Sequence, residues 1–131
     1  MDTPVRVKAA TNSGAYDLEG EALRLGPDWV VCIWGGEAPH VGAVAMATPR
    51  PSLADPERIS ATASVFAYVG HKEDVLAKAT AEVLSAALNA KVVVTAGMHW
   101  DGIDAKGIEQ VKENVGMLID NLLREMAALR L

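Results

Sequence analysis

Residues 60–96 read SATASVFAYVGHKEDVLAKATAEVLSAALNAKVVVTA, and this stretch decides the fold. In its first part Ala61, Ala63, Val65, Ala67 and Val69 alternate with Ser60, Thr62, Ser64, Phe66 and Tyr68. A period of two is that of a strand. From Lys72 to Asn89 the period changes. Val75, Leu76, Ala79, Val83, Leu84, Ala87 and Leu88 recur three and four residues apart, the spacing of a helix face. Lys91 to Ala96 is a short β-branched run and reads as a second strand. A strand, a helix and a strand in this order form a crossover, and crossovers join parallel strands.

Upstream, Val5 to Ala10 alternates as a strand. Asn12-Ser13-Gly14 is a turn signal, so Ala15 to Leu25 reads as the return strand of a hairpin. Gly26-Pro27-Asp28 breaks the chain. The continuous apolar run Trp29 to Trp34 reads as a central strand covered on both faces. Gly35 to His40 reads as a loop and Val41 to Ala47 as a further strand. Thr48 to Ile59, with Pro49, Pro51 and Pro56, reads as a long surface loop. Downstream, Asp104 can cap a long amphipathic helix reaching Leu129, with Ile108, Val111, Val115, Leu118, Ile119, Leu122, Met126 and Leu129 on its apolar face. The expectation is a single domain over residues 1–131 of the α+β class. It has a mixed, mostly antiparallel sheet of about six strands, with two helices packed on one face. The other face is left to solvent or to a second subunit, so a homodimer or other homo-oligomer is expected.

Composition narrows the function classes. The chain has 131 residues, half of them hydrophobic, enough for a real core without metal or disulfide staples. With a single phenylalanine and abundant alanine and valine, that core must be built from small side chains. The lone cysteine, Cys32, can form no internal disulfide and suits a reducing compartment. The first residues start no signal peptide, and no apolar run is long enough for a membrane span, so a cytoplasmic protein is expected. A net charge of −5 argues against nucleic acid as the main partner. It leaves room for a small phosphorylated ligand held by backbone amides.

The crossover also places the three histidines. His71 follows the fifth strand and His99 the sixth, and parallel strands end on one side of a sheet. If the third, fourth and fifth strands run up, down and up, the loop carrying His40 opens on that side as well. Ligands of open α/β sheets bind beyond such strand ends. Gly70-His71-Lys72-Glu73-Asp74 opens a helix, whose first amides favour an anion. The Gly35-Gly36 loop lets a ligand approach the backbone. Each feature also has a plain structural reading: Glu73 and Asp74 as first-turn carboxylates, His71 as a cap, His99 as a packed imidazole, Gly35-Gly36 as a turn. His40, His71, Glu73, His99 and Asp101 together are a chemically reasonable ligand set for a divalent transition metal. The spacing matches no established metal motif, and no Walker A loop, Gly-x-Gly-x-x-Gly or Gly-x-Ser-x-Gly elbow is present.

Pro39-His40-Val41-Gly42-Ala43-Val44-Ala45, Gly70-His71-Lys72-Glu73 and Gly97-Met98-His99-Trp100-Asp101 resemble the motifs of the prenylated flavin chaperone family (LpdD-like). These are small accessory proteins of UbiD-type decarboxylase systems. The similarity runs from about Trp29 to the C-terminal helix. It implies binding of prenylated FMN and help with its maturation or delivery to a UbiD-type decarboxylase, with a UbiX-type flavin prenyltransferase as supplier. Carried over by motif, His40, His71, Glu73, His99 and Asp101 are the functional residues, able to hold a bridging divalent metal. Gly35, Gly36, His40, Gly70, His71, Lys72 and Trp100 are then expected at the cofactor, with the start of the helix at its phosphate. Trp100, or Trp34 beside the two glycines, is a candidate to stack on the ring. The resemblance favours a non-enzymatic chaperone. Two other functions stand beside it: a small metal-dependent enzyme using the His/Asp/Glu cluster, and a structural subunit of a decarboxylase complex.

Overall fold

The computed structural model of the chain describes residues 4–68 and 73–129. In chain order the elements are β1 (Arg6–Ala10), β2 (Leu18–Leu25), β3 (Asp28–Gly36), β4 (Ala43–Pro51), β5 (Ile59–Ala67), α1 (Asp74–Leu88), β6 (Val92–His99) and α2 (Ala105–Ala127). The expected order of five strands, helix, strand and helix is therefore found. The six strands form one mixed, mostly antiparallel sheet in the order β1-β2-β3-β6-β4-β5.

The sixth strand is inserted between the third and the fourth. It lies parallel to β3 and antiparallel to β4. The up-down-up directions of β3, β4 and β5 hold, but β3 and β4 are not neighbours, so they form no meander. β5 and β6 are both antiparallel to β4, hence parallel to each other across it. The C-terminal ends of β3, β5 and β6 meet at one end of the sheet.

One face of the sheet carries the core. Registered rows such as Ala22, Val31, Val94 and Ala45 are buried side by side. Onto them pack Ala77, Ala81, Leu84 and Leu88 of α1, and Val115, Leu118, Leu122 and Met126 of α2, in one continuous cluster. Alanines on both β4 and α1 let that helix lie close to its strands. Truncating a wholly buried side chain such as Leu84 costs about 2–5 kcal/mol. The opposite face has no cover among the described residues, and Met46 and Phe66 stand 63% and 65% exposed on it.

Pro49 and Pro51 belong to β4 rather than to a long loop, which shrinks to residues 52–58. The reason is hydrogen-bond parity. Ser52 N–H donates to Arg58 and Tyr68 N–H to Gly42, so even-numbered positions of β4 bond to β5. The two prolines face the other way. There β4 has already run past its last partner on β6, Ala47 opposite Val92. No ladder bond is lost, the position at which a strand tolerates proline.

Two other boundaries move. The second strand starts at Leu18 because Asp17 folds the preceding residues into a turn. Its carboxylate accepts from the Thr11 hydroxyl (2.9 Å), the Ser13 amide (2.8 Å) and the Gly14 amide (3.1 Å). β3 reaches Gly36 and β6 reaches His99, because these ends pair with each other, Gly36 beside His99. Gly35 and Gly36 are strand residues, not a loop. Asp104 caps α2 as expected, accepting from Gly107 N–H at 2.7 Å. No helix among the described residues is long and apolar enough to cross a membrane.

Candidate functional site

Because β6 lies between β3 and β4, the 37–42 connection must cross over the C-terminal end of β6. It does so in contact. Glu37 N–H donates to the His99 carbonyl (2.8 Å) and Gly42 N–H to Ala96 (3.0 Å). The crossing is so close that a Cβ on Gly97 would fall 1.7 Å from the His40 carbonyl oxygen, and one on Gly42 2.7 Å from the Glu73 carboxylate. Only glycine fits at 97, where the clash is with backbone; at 42 a side chain would displace the Glu73 carboxylate.

Two histidine–carboxylate pairs result. His40 Nε2 lies 3.1 Å from Glu73 Oε1, with the two side chains 25% and 12% exposed. Its Nδ1 lies 2.8 Å from the Ala38 carbonyl oxygen, which can only accept, so Nδ1 carries a proton. Nε2 is the ring nitrogen that faces Glu73. Glu73 also accepts from Met98 N–H at 3.4 Å. It thereby ties the residue before α1 both to the crossing segment and to β6.

The second pair is open to solvent. His99 Nε2 lies 2.8 Å from Asp101 Oδ1, with the side chains 54% and 83% exposed. Asp101 N–H donates to Glu37 Oε2 at 3.0 Å. The Asp101 carboxyl is held below the ordinary carboxylate range, first by its hydrogen bond to His99 and then by that to Glu37. Glu37 was not among the expected site residues. Its only signal was a carboxylate in the loop preceding His40.

Of the expected metal donors, His40, Glu73, His99 and Asp101 are described and His71 is not, and among the described residues no group of three or more His, Cys, Asp or Glu side chains is placed to hold a metal. His40 and His99 each direct Nε2 at a separate carboxylate. Gly70, His71 and Lys72 lie outside the described residues. The two candidate tryptophans part company. Trp34 is on the open face, donating Nε1–H to Glu19 at 3.0 Å, while Trp100 is on the helix side, 3.4 Å from where a Cβ on Gly35 would lie.

A groove of about 650 Å³ runs from these pairs between α1 and α2. Its mouth is His40, Glu73, His99 and Trp100; its walls are apolar, with Leu76, Ala79 and Val83 facing Ile108, Val111 and Ile119. Sequence periodicity assigned these helix residues to the core. The apolar stripe of α1 is wider than its buried face, however: Val75 is 74% and Val83 48% exposed, and Ile108 of α2 46%. The surplus lines the groove. Thr80 also lines it, and its hydroxyl has no hydrogen-bond partner among the described residues. Lys112 sits at the rim. An open apolar groove with a few polar groups at one end suits a flat, largely apolar ligand carrying one polar end.

Residues 12–127 match the family model described as the prenylated flavin chaperone LpdD-like domain. Comparison with curated proteins gave no match. Among solved structures, the chain is similar to one from the crystal structure of a novel chaperone complex for yeast 20S proteasome assembly. The TM-score is 0.54 at 12% identity, covering 91% of this chain and 98% of that one. At that identity the likeness is one of fold alone.

Proposed function

The chain belongs to the prenylated flavin chaperone LpdD-like family, and from that premise we propose that it binds prenylated FMN and passes it to a UbiD-type (de)carboxylase, receiving it from a UbiX-type prenyltransferase. The observation that carries this reading is the groove between α1 and α2, apolar along its walls and polar at its mouth. Its volume of about 650 Å³ lies within the range of small-molecule sites, roughly 300–1,000 Å³. The apolar walls between the helices, together with Trp100, would hold the flavin ring system. His40, Glu73 and His99 at the mouth would meet its polar end. Gly35 and Gly36 back the site from β3.

Once in the partner enzyme, prenylated FMN supplies the decarboxylation chemistry. The chaperone's own residues do less. Apolar walls shield the ring from water, Trp100 orients it, and the histidine pairs hold protons at the polar end. A homo-oligomer is the expected assembly, with the uncovered sheet face around Met46 and Phe66 against a second copy. Measurement of the solution mass checks it.

Anaerobic titration with reduced prenylated FMN and with plain FMN, with and without a divalent metal, tests the proposal. Tighter binding of the prenylated form is expected. Binding of neither flavin would reject it.

A further inference from the structure

The β1–β2 turn carries none of the family-like motifs, yet it reaches the site. Tyr16 lies in this turn with φ 59°, a left-handed backbone that a bulky side chain rarely adopts. Such conformations persist only where the surroundings impose them, and they gather at functional sites. Here the surroundings are explicit. Asn114 of α2, wholly buried, donates to the Ala15 carbonyl (3.1 Å) and the Tyr16 carbonyl (2.6 Å). Its Oδ1 accepts from the Ser13 hydroxyl and from Gln110, each at 3.0 Å. Every hydrogen-bonding position of that amide is used, and most go to the turn. Asp17 closes the turn from the other side.

The held ring has one neighbour of functional interest. Tyr16 meets Trp100 edge to face, with centroids 5.4 Å apart and planes at 79°. On its other side it rests against the bare backbone of α2. A Cβ on Gly107 would lie 2.8 Å from the tyrosine Cζ and hydroxyl oxygen. The ring is thus wedged between the first turn of α2 and the indole at the mouth of the groove.

We propose that Tyr16 is a positioning residue: it holds the Trp100 indole at the groove mouth in the orientation that receives the flat ring of a flavin. This rests on the flavin-binding reading above and adds β1, β2 and their turn to the site. Tyr16 acts through Trp100 and itself touches no ligand. The left-handed backbone of residue 16 is the cost of aiming the ring inward rather than to solvent.

The test is a set of anaerobic titrations with reduced prenylated FMN, following affinity and the absorbance band of the bound flavin. Tyr16→Asn removes the ring but tolerates the left-handed backbone. Affinity should fall about tenfold, the upper range for losing one aromatic pair. The bound-flavin band should shift, and the melting temperature should change little. Tyr16→Phe keeps the ring and should restore affinity to within about twofold. In a Trp100→Phe background, Tyr16→Asn should add less than its loss in the wild type, because coupled residues are not additive. Gly107→Ala crowds the same ring from behind and should weaken binding without removing any side chain, which serves if Tyr16→Asn fails to fold. Wild-type affinity in Tyr16→Asn, or an equal loss in both backgrounds, overturns the inference while leaving the chaperone function standing. If the wild-type protein binds no flavin, the function itself fails and the inference with it.

Discussion

His40 on the crossing segment and Glu73 at the start of α1 are joined at 3.1 Å across the end of the sheet. They are 33 residues apart in the chain, on connections that meet only because β6 separates β3 from β4. The pair is mostly buried, and Glu73 also receives the Met98 amide. It fixes the mouth of the groove.

Removing Glu73 should therefore affect both fold and function. Glu73→Ala leaves the Met98 amide and the His40 imidazole short of an acceptor, and should cost about 1–3 kcal/mol. Chemical denaturation measures the loss, and flavin titration should show weakened binding in the same protein. An unchanged denaturation midpoint would mean that the pair contributes nothing.

His99 should separate the two effects. It and Asp101 form an exposed pair, so His99→Ala should move stability by no more than about 0.5 kcal/mol. Flavin affinity should nevertheless fall, since His99 stands at the groove mouth. A large melting loss with normal binding would make this histidine a structural residue.

The groove itself can be blocked. Ala79 is exposed on its wall, so a larger side chain there meets solvent rather than core. Ala79→Phe should keep the melting temperature within a few degrees and abolish flavin binding. Retained binding would place the ligand elsewhere.

Thr80 offers a change of opposite sign. Its buried hydroxyl has no partner among the described residues, a state that costs stability. The nearly isosteric Thr80→Val should raise stability by about 1 kcal/mol and the melting temperature by a few degrees. Differential scanning calorimetry decides it.

Acid should loosen the β1–β2 turn. Asp17 is held below the ordinary carboxylate value, chiefly by the Ser13 amide, with smaller contributions from Thr11 and Gly14. A depressed folded-state value contributes stability that is present above the unfolded value of about 4 and lost as pH falls through the folded one. Asp17→Asn should melt lower than the wild type at neutral pH, and the gap should close as pH drops below about 4. A gap constant from pH 7 to pH 2 would contradict this assignment.

The amino-acid sequence by itself determined the element order, the fold class and the family. Periods of two and of 3.6 residues, the turn at Asn12-Ser13-Gly14 and the cap at Asp104 are local signals, and local backbone preferences obey them. Strand direction was legible too, since a helical crossover leaves parallel strands. Pairing order was not. Nothing near Val41 or Val92 in the chain says that β6 enters between β3 and β4. That choice follows from burying the apolar β3 and β6 runs in the middle of the sheet, a non-local matter. From it come the crossing of residue 40 over Gly97, the His40–Glu73 pair and the role of Glu37. Periodicity likewise could not divide the apolar residues of α1 between core and groove, because one hydrophobic stripe serves both. Tyr16 reaches Trp100 only through the buried Asn114, nearly a hundred residues away, and tertiary packing alone brings them together.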